Sequence, residues 1–326
     1  MKLKIQQDTI EACKKILYHC GNLEKGENLL IVTDVSTKDI GELLHHISLE
    51  KIDNSSHETI SKFKIHGQEP PHHINQMMYE SDLIIGLTSM SMAHTQARFK
   101  ATNNGSRYLS LPDYSWEIVK DTSLKANFRE LWDISERIGK LLDSSDTVRV
   151  TTKLGTDIKL SISDRQANRA PGWCFGPGTI ASPPDAEVNI APVEELSSGT
   201  MVVDGSIPCN EIGLLSEPIF MNIEQGLVTN ISGLCSEKLI KLFDKDNNIN
   251  YRMIGEFGIG LNPKAELCGL MLPDEGCLGT IHFGIGSNGT IGGKNNVPFH
   301  LDHIIKDPTI VIDNLMIMDK GEMLKF

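Results

Sequence analysis

The histidines are unevenly spread: eight of 11 lie between His19 and His94, and only His282, His300 and His303 follow. Two of the late histidines sit in segments whose spacing suits a metal, Gly279-Thr280-Ile281-His282-Phe283-Gly284 and Phe299-His300-Leu301-Asp302. Alternate residues of a strand share a face. An extended His300-Leu301-Asp302 therefore sets an imidazole beside a carboxylate and turns Phe299 and Leu301 away. Imidazole with carboxylate is a ligand set for Zn, Mn, Fe or Co rather than Ca or Mg. A lone H-x-D is equally well a solvated surface pair, and a lone His282 is better read as a hydrogen-bonded core histidine. What surrounds them gives the two segments weight.

Acids gather in the same half of the chain: Asn189-Ile190-Ala191-Pro192-Val193-Glu194-Glu195, Gly255-Glu256-Phe257-Gly258-Ile259-Gly260-Leu261-Asn262-Pro263, Asp274-Glu275 and His300-x-Asp302. Glycines flank Glu256 and let backbone come close to whatever that carboxylate holds. Bridging carboxylates plus an imidazole or carboxylate at each metal are the inventory of a dinuclear site, where two ions about 3.5–4 Å apart share and deprotonate a water. His282, His300 and Asp302 alone would instead make the two-histidine, one-carboxylate set of mononuclear Fe(II) oxygenases. Glu195 reads as a surface or supporting acid and Asp274-Glu275 as a turn. His94 reads as structural, or as facing a cleft, and His72-His73 as exposed loop. Cys268 and Cys277 read as inert buried thiols. Gly284-x-Gly286-x-x-Gly289 matches a dinucleotide fingerprint literally. No helix can start in Thr290-Ile291-Gly292-Gly293 with Pro298 close behind, so a glycine-lined wall is the better reading.

The elements that must position these groups divide into two kinds. Helical spacing over Thr9–Tyr18, Lys38–Leu49, Ala93–Thr102 and Phe128–Leu142 alternates with apolar strands at Asn28–Thr33, Asp82–Leu87 and Arg107–Leu111. That alternation predicts an α/β domain with a parallel sheet, residues 1–143. From Val148 onward helical periodicity is scarce, with one helix at Ser236–Phe243. Strand-like runs recur at 148–152, 201–203, 218–223, 280–285, 309–312 and 315–318. The prediction there is a β-rich α+β metal-binding domain, residues 144–326. A net charge of −12 over 326 residues argues against nucleic acid or an anionic membrane as partner. No apolar run is long enough to span a bilayer, and Met1–Asp8 lacks the hydrophobic segment of a signal peptide. Seven cysteines without a C-x-x-C pair fit free thiols in a reducing cytoplasm.

Taken in order, a Glu, then Glu-x-Gly-Ile-Gly-x-Asn-Pro, Gly-Thr-x-His-x-x-x-Gly and His-x-Asp resemble the M29 metallopeptidases, the thermophilic or leucyl aminopeptidase T type. Ser81–Thr88 followed by His94-Thr95-Gln96-Ala97-Arg98 extends the resemblance over most of the chain. The same group has a shorter offshoot that includes 2,5-dihydroxypyridine 5,6-dioxygenase, an iron enzyme, and this chain is closer to it in length. Carried over, the resemblance implies metal ligands at Glu194, Glu256, His282, His300 and Asp302, with Glu256 and His282 catalytic. The first glutamate falls on Glu194 counted from Asn189 and on Glu195 counted from Pro192; Glu194 is preferred. One or two divalent ions (Zn, Mn, Co or Fe), a small-molecule or short-peptide substrate and a homodimer are implied. The leading expectation is an aminopeptidase-like hydrolase in which a metal-activated hydroxide attacks an amide carbonyl. The alternatives are a mononuclear Fe(II) ring-cleaving dioxygenase and a degenerate member that only binds a ligand. The tyrosine that follows the first histidine in the peptidases has no counterpart: the last tyrosine is Tyr251. Ser287, Asn288 or His303 would have to replace it, or the chemistry is not peptide hydrolysis.

Overall fold

The computed structural model describes residues 6–326. Most of the segment read for a signal peptide, Met1–Ile5, lies outside the described residues. Contacts divide the chain into two units. One runs to Arg129 and takes back Gly172–Pro184; the other holds Glu130–Pro171 and Asp185–Phe326.

The first unit is α/β. Its sheet is built on β1 (Asn28–Thr33), β2 (Asn54–Thr59), β3 (Leu83–Leu87) and β4 (Arg107–Ser110). The order is β2-β1-β3-β4 with the short Ile180–Ala181 strand beyond β4, and every pairing is parallel. Parallel strands covered on both faces must be apolar throughout, and β3 and β4 are buried at every residue. Leu30, Val32, Ile84 and Tyr108 meet Ile74, Met78, Ala97 and Ala101 of the covering helices in one core. β2, read as Asn-Ser-Ser-His-Glu-Thr, is polar because it lies on the edge. His72 and His73 are exposed as expected, but they open a helix, His72–Glu80, rather than a loop.

The second unit is β-rich. An eight-stranded antiparallel sheet includes Thr147–Thr151, Asp157–Ser161, Ser198–Val203 and Thr309–Ile312. A five-stranded antiparallel sheet carries the chemistry: β5 (Asn168–Ala170), β6 (Glu187–Ile190), β7 (Ile254–Gly260), β8 (Thr280–Gly286) and β9 (His300–Lys306), in the order β9-β8-β7-β6-β5. The helix Leu131–Asp143, placed with the first domain by its position in the sequence, packs on β5 and β6 of the second unit. Its Asp143 and Glu136 hold Arg169 at 2.5 and 3.4 Å. The first-domain limit at 143 is therefore corrected to Arg129, and residues 172–184 return to the first unit, where Thr179 O accepts from Tyr108 N at 2.9 Å. Among the described residues, no helix is long and apolar enough to cross a membrane.

Candidate metal centre

The five-stranded sheet has two unlike faces. Phe257 and Ile259 of β7, Ile281, Phe283 and Ile285 of β8, and Leu301, His303 and Ile305 of β9 are buried, and strand alternation sets them on one face. The other face takes the residues between them: Glu187 and Asn189 on β6, Glu256 and Gly258 on β7, His282 and Gly284 on β8, and His300 and Asp302 on β9. The register pairs Gly258 with His282 and Gly284 with Asp302, so glycines stand beside functional side chains. A Cβ at Gly258 would lie 2.1 Å from His282 Cε1 and Nε2, and one at Gly284 would lie 2.5 Å from His300 Cε1 and 2.8 Å from Glu256 Cβ. Only glycine lets each imidazole lie across the neighbouring strand. That is the physical content of the Glu-x-Gly and His-x-Gly spacings.

Among the described residues two groups of donor atoms result, each gathered within 4.8 Å: Glu187–Glu256–His282 and Glu256–His300–Asp302. Glu256 belongs to both. Its Oε1 lies 3.8 Å from His282 Nε2, and its Oε2 lies 3.2 Å from His300 Nε2. His282 Nε2 also faces Glu187 Oε2 at 3.1 Å, and His300 Nε2 faces Asp302 Oδ1 at 3.2 Å. Glu187, Glu256, His282 and Asp302 are buried, while the His300 side chain is 35% exposed and forms the open side. The two imidazoles thus fall in separate groups joined by Glu256.

The electrostatics are those of a site short of positive charge. Burial works to lower the pKa of both imidazoles. The carboxylates of Glu187, Glu256 and Asp302 around His282, and of Asp302 and Glu256 around His300, outweigh it and raise both well above the ordinary value. Burial raises Asp185 and Glu275 well above the usual carboxylate range, and neighbouring acids push the same way. Among the described residues Asp185 Oδ1 is buried with no hydrogen-bond partner, and Glu187 Oε2 has only His282 Nε2 beside it at 3.1 Å. Carboxylates left this way in a water-poor place are ordinarily satisfied by a cation. The donor set fits divalent Zn, Mn, Co or Fe, at one position or two.

Of the five sequence-derived ligands, the structure brings together Glu256, His282, His300 and Asp302. Glu194 is not in either group. Its Oε2 accepts from Arg165 Nη2 at 2.5 Å, and its Oε1 accepts from Asn288 Nδ2 at 2.9 Å and Lys294 N at 2.6 Å. Glu187 stands in its place, a residue the sequence reading passed over. The signal was present in the alternation of polar and apolar residues in Glu187-Val188-Asn189-Ile190; in the fold Asn189 Nδ2 donates to Glu187 Oε1 at 2.6 Å. His303, a candidate replacement for the absent tyrosine, is buried on the opposite face of β9. Its Nδ1 meets Leu301 O at 2.9 Å, its ring stacks on Phe243, and burial lowers its pKa to about 4. Asp274 is a buried brace that accepts from Ser206 Oγ, Cys268 N and Gly269 N. Cys277 is buried, but Cys268 is exposed, which corrects the reading of both as buried. His94 is exposed. No long helix follows Gly284-x-Gly286-x-x-Gly289; a single 3-10 turn spans Gly289–Ile291.

A parallel α/β unit with a β-rich unit bearing a carboxylate–imidazole cluster is the M29-like architecture. The family model described as NicX, 2,5-dihydroxypyridine 5,6-dioxygenase, matches residues 8–325, and the chain belongs to that family. A curated 2,5-dihydroxypyridine 5,6-dioxygenase from Pseudomonas putida KT2440 is 27% identical over 195 residues, 56% of each chain, so the match spans little more than half of that relative. The solved structure of a 2,5-dihydroxypyridine dioxygenase from the same strain has the same fold, with a TM-score of 0.83, 18% identity and 98% of both chains covered. Wild-type AmpT from Thermus thermophilus shares the fold at a TM-score of 0.71 and 14% identity, over 98% of this chain and 99% of that one. The resemblance to the M29 group with its dioxygenase-like offshoot therefore stands. The aminopeptidase-type hydrolase expectation does not: the family and the curated relative are dioxygenases, and the likeness to AmpT shows the fold alone.

Proposed function

We propose that this chain is a ring-cleaving dioxygenase that acts on a dihydroxylated N-heteroaromatic ring of the 2,5-dihydroxypyridine class. Family membership over residues 8–325 carries this reading, and the retained donor set supports it. Glu256, His300 and Asp302 would hold ferrous iron, with His282 facing Glu256 from the buried side and Glu187 facing His282. Bound there, iron would supply the binding and reduction of dioxygen that ring opening needs. The residues supply the rest. Asp302 and Glu256 give the centre two negative charges, which favour a divalent ion. The carboxylates facing His300 and His282 fix Nε2 as the nitrogen turned inward. The exposed edge of His300 is the side from which a ring and oxygen can approach. Both oxygen atoms enter the opened ring, so no external reductant is required.

The test is oxygen consumption by the full chain, purified anaerobically and loaded with Fe(II), on addition of 2,5-dihydroxypyridine. One O2 taken up per ring lost from the ultraviolet spectrum is the expected outcome. Iron-loaded protein that takes up no oxygen with this or a related dihydroxylated ring would overturn the reading.

A further inference from the structure

Glu194 is engaged by a clamp, and that clamp ends on the metal centre. Arg165 and the Glu194 side chain are 9% and 15% exposed, and their contact at 2.5 Å is a buried ion pair. The other Arg165 nitrogen, Nη1, donates to Gly292 O. Glu194 Oε1 takes Asn288 Nδ2 and Lys294 N. Asn288, fully buried, accepts at its Oδ1 from Asn295 N at 2.8 Å, and its backbone N donates to Asn295 O at 2.9 Å. Asn295 Nδ2 then reaches Gly286 O at 2.7 Å. Arg165 and Glu194, paired with each other, both reach into the turn between β8 and β9, and Asn288 and Asn295 close it from within.

The turn's first residue is Ser287. Its N donates to Phe299 O at 2.7 Å, its hydroxyl donates to Asn295 O at 3.2 Å, and its carbonyl faces His300 Nδ1 at 2.8 Å. A carbonyl can only accept, so Nδ1 carries the hydrogen, and Nε2 is the ring nitrogen that would meet a metal ion held with Asp302 and Glu256. His300 is the most exposed of the five side chains, at 35%. The Ser287 carbonyl is what fixes the ring's tautomer and angle, and such outer partners typically govern metal affinity by about 10–100-fold.

We infer that Glu194, with Arg165, is a positioning residue for the metal centre: it locks the 287–296 turn so that the Ser287 carbonyl orients His300. The inference rests on the metal-centre reading above. It differs from a ligand role in what it predicts.

The experiment is Co(II) titration of the metal-free full chain, read by its visible absorption bands and by equilibrium dialysis. Glu194→Ala should weaken Co(II) binding about 10–100-fold with the number of ions per chain unchanged. Glu194→Gln should recover part of that loss, because its amide oxygen still accepts from Asn288 and Lys294. Asn288→Ala, which cuts the same path at its next step, should weaken binding in the same direction and serves if Glu194→Ala folds poorly. Asp313→Ala removes a carboxylate that accepts from Thr147 N and Oγ1 in the other sheet and should leave Co(II) binding unchanged. Wild-type affinity in both Glu194→Ala and Asn288→Ala would overturn the inference. So would loss of one whole equivalent with altered bands in Glu194→Ala, which would make Glu194 a ligand. A wild-type chain that takes up no Co(II) would overturn the metal-centre reading itself, and this inference with it.

Discussion

The two sheets that dominate the two units solve the polar-group problem in opposite ways. In the parallel sheet, β3 and β4 are buried along their whole length, and their only task is to pack. Polar residues there sit on the edge strand β2 or at strand ends, such as Thr33 against His57 at 2.8 Å. In the antiparallel sheet, five titratable side chains share one face, Glu256, His282 and Asp302 inside their strands and Glu187 and His300 at strand starts, with apolar residues between them on the other face. The pleat lets one strand do both jobs: in β9, His300 and Asp302 belong to the centre while Leu301 and His303 belong to the core. What this teaches is that period-2 alternation, which a fully buried parallel strand cannot show, is the form in which a sheet can carry chemistry without losing its core. The contrast can be broken at the charged face, at its glycines, by pH and at the apolar sheet.

The largest effect is expected at Glu256, the one residue shared by both donor groups. Glu256→Ala strips a carboxylate oxygen from each imidazole at once. Fe(II) affinity should fall by more than about 100-fold, exceeding the loss of any outer partner, and oxygen uptake with the ring substrate should vanish. Metal content after dialysis and the oxygen electrode check this together. Retention of tightly bound iron would mean the two groups do not share a ligand.

Gly258→Ala comes next and sharpens the same point without touching a donor atom. The added methyl would fall 2.1 Å from His282 Nε2, so the ring must leave its place or the strands must part. We expect a destabilisation of about 1–3 kcal/mol, the usual cost of overpacking, and iron affinity at least about tenfold lower. Thermal unfolding and iron titration separate the two. Unchanged affinity would show that His282 is not needed at the centre.

The pH dependence follows from the raised imidazole values. Without metal, His282 and His300 hold their protons above the ordinary imidazole range, because the facing carboxylates outweigh burial. Their contribution to the stability of the metal-free fold is full below the unfolded imidazole value, about 6.5. It is lost as pH rises through the raised folded values. Metal must displace the same protons, so Co(II) affinity should climb with pH by up to about tenfold per unit for each proton released. The climb should continue past neutrality, where a free imidazole would already have stopped contributing. A plateau beginning near pH 7 in a Co(II) titration series would contradict this.

Much of this arrangement was legible beforehand, and the gaps have physical causes. Apolar runs marked β1, β3 and β4, and the pairing of His300 with Asp302 on one face followed from strand period alone. β2 escaped because an edge strand need not be apolar. The 172–184 segment escaped because it is broken by proline and glycine, and its return to the first sheet is a long-range event with no local signature. Glu194 and Glu187 show the sharper limit. Both are acids near Asn189, and motif order favours Glu194. Which one reaches the centre depends on Arg165, 29 residues before Glu194, and on Asn288, 94 residues after it. The chemistry was misread for a related reason. A three-carboxylate, two-imidazole inventory suits hydrolysis and oxygen chemistry alike, so donor types could not choose, whereas the absent tyrosine already pointed away from the peptidases.

The smallest effect on metal is expected in the first sheet, and it closes the comparison from the other side. Ile85 is fully buried at the centre of β3. Ile85→Ala should destabilise the first unit by about 2–5 kcal/mol through lost burial and the cavity left behind. It should leave Fe(II) stoichiometry and affinity as in the wild type at temperatures where the protein stays folded, because every donor atom lies in the second unit. Denaturant unfolding and iron titration on the same preparation check both halves. An iron affinity that falls in step with stability would show that the parallel sheet does more than pack, and that the division of labour between the two sheets is not the one drawn here.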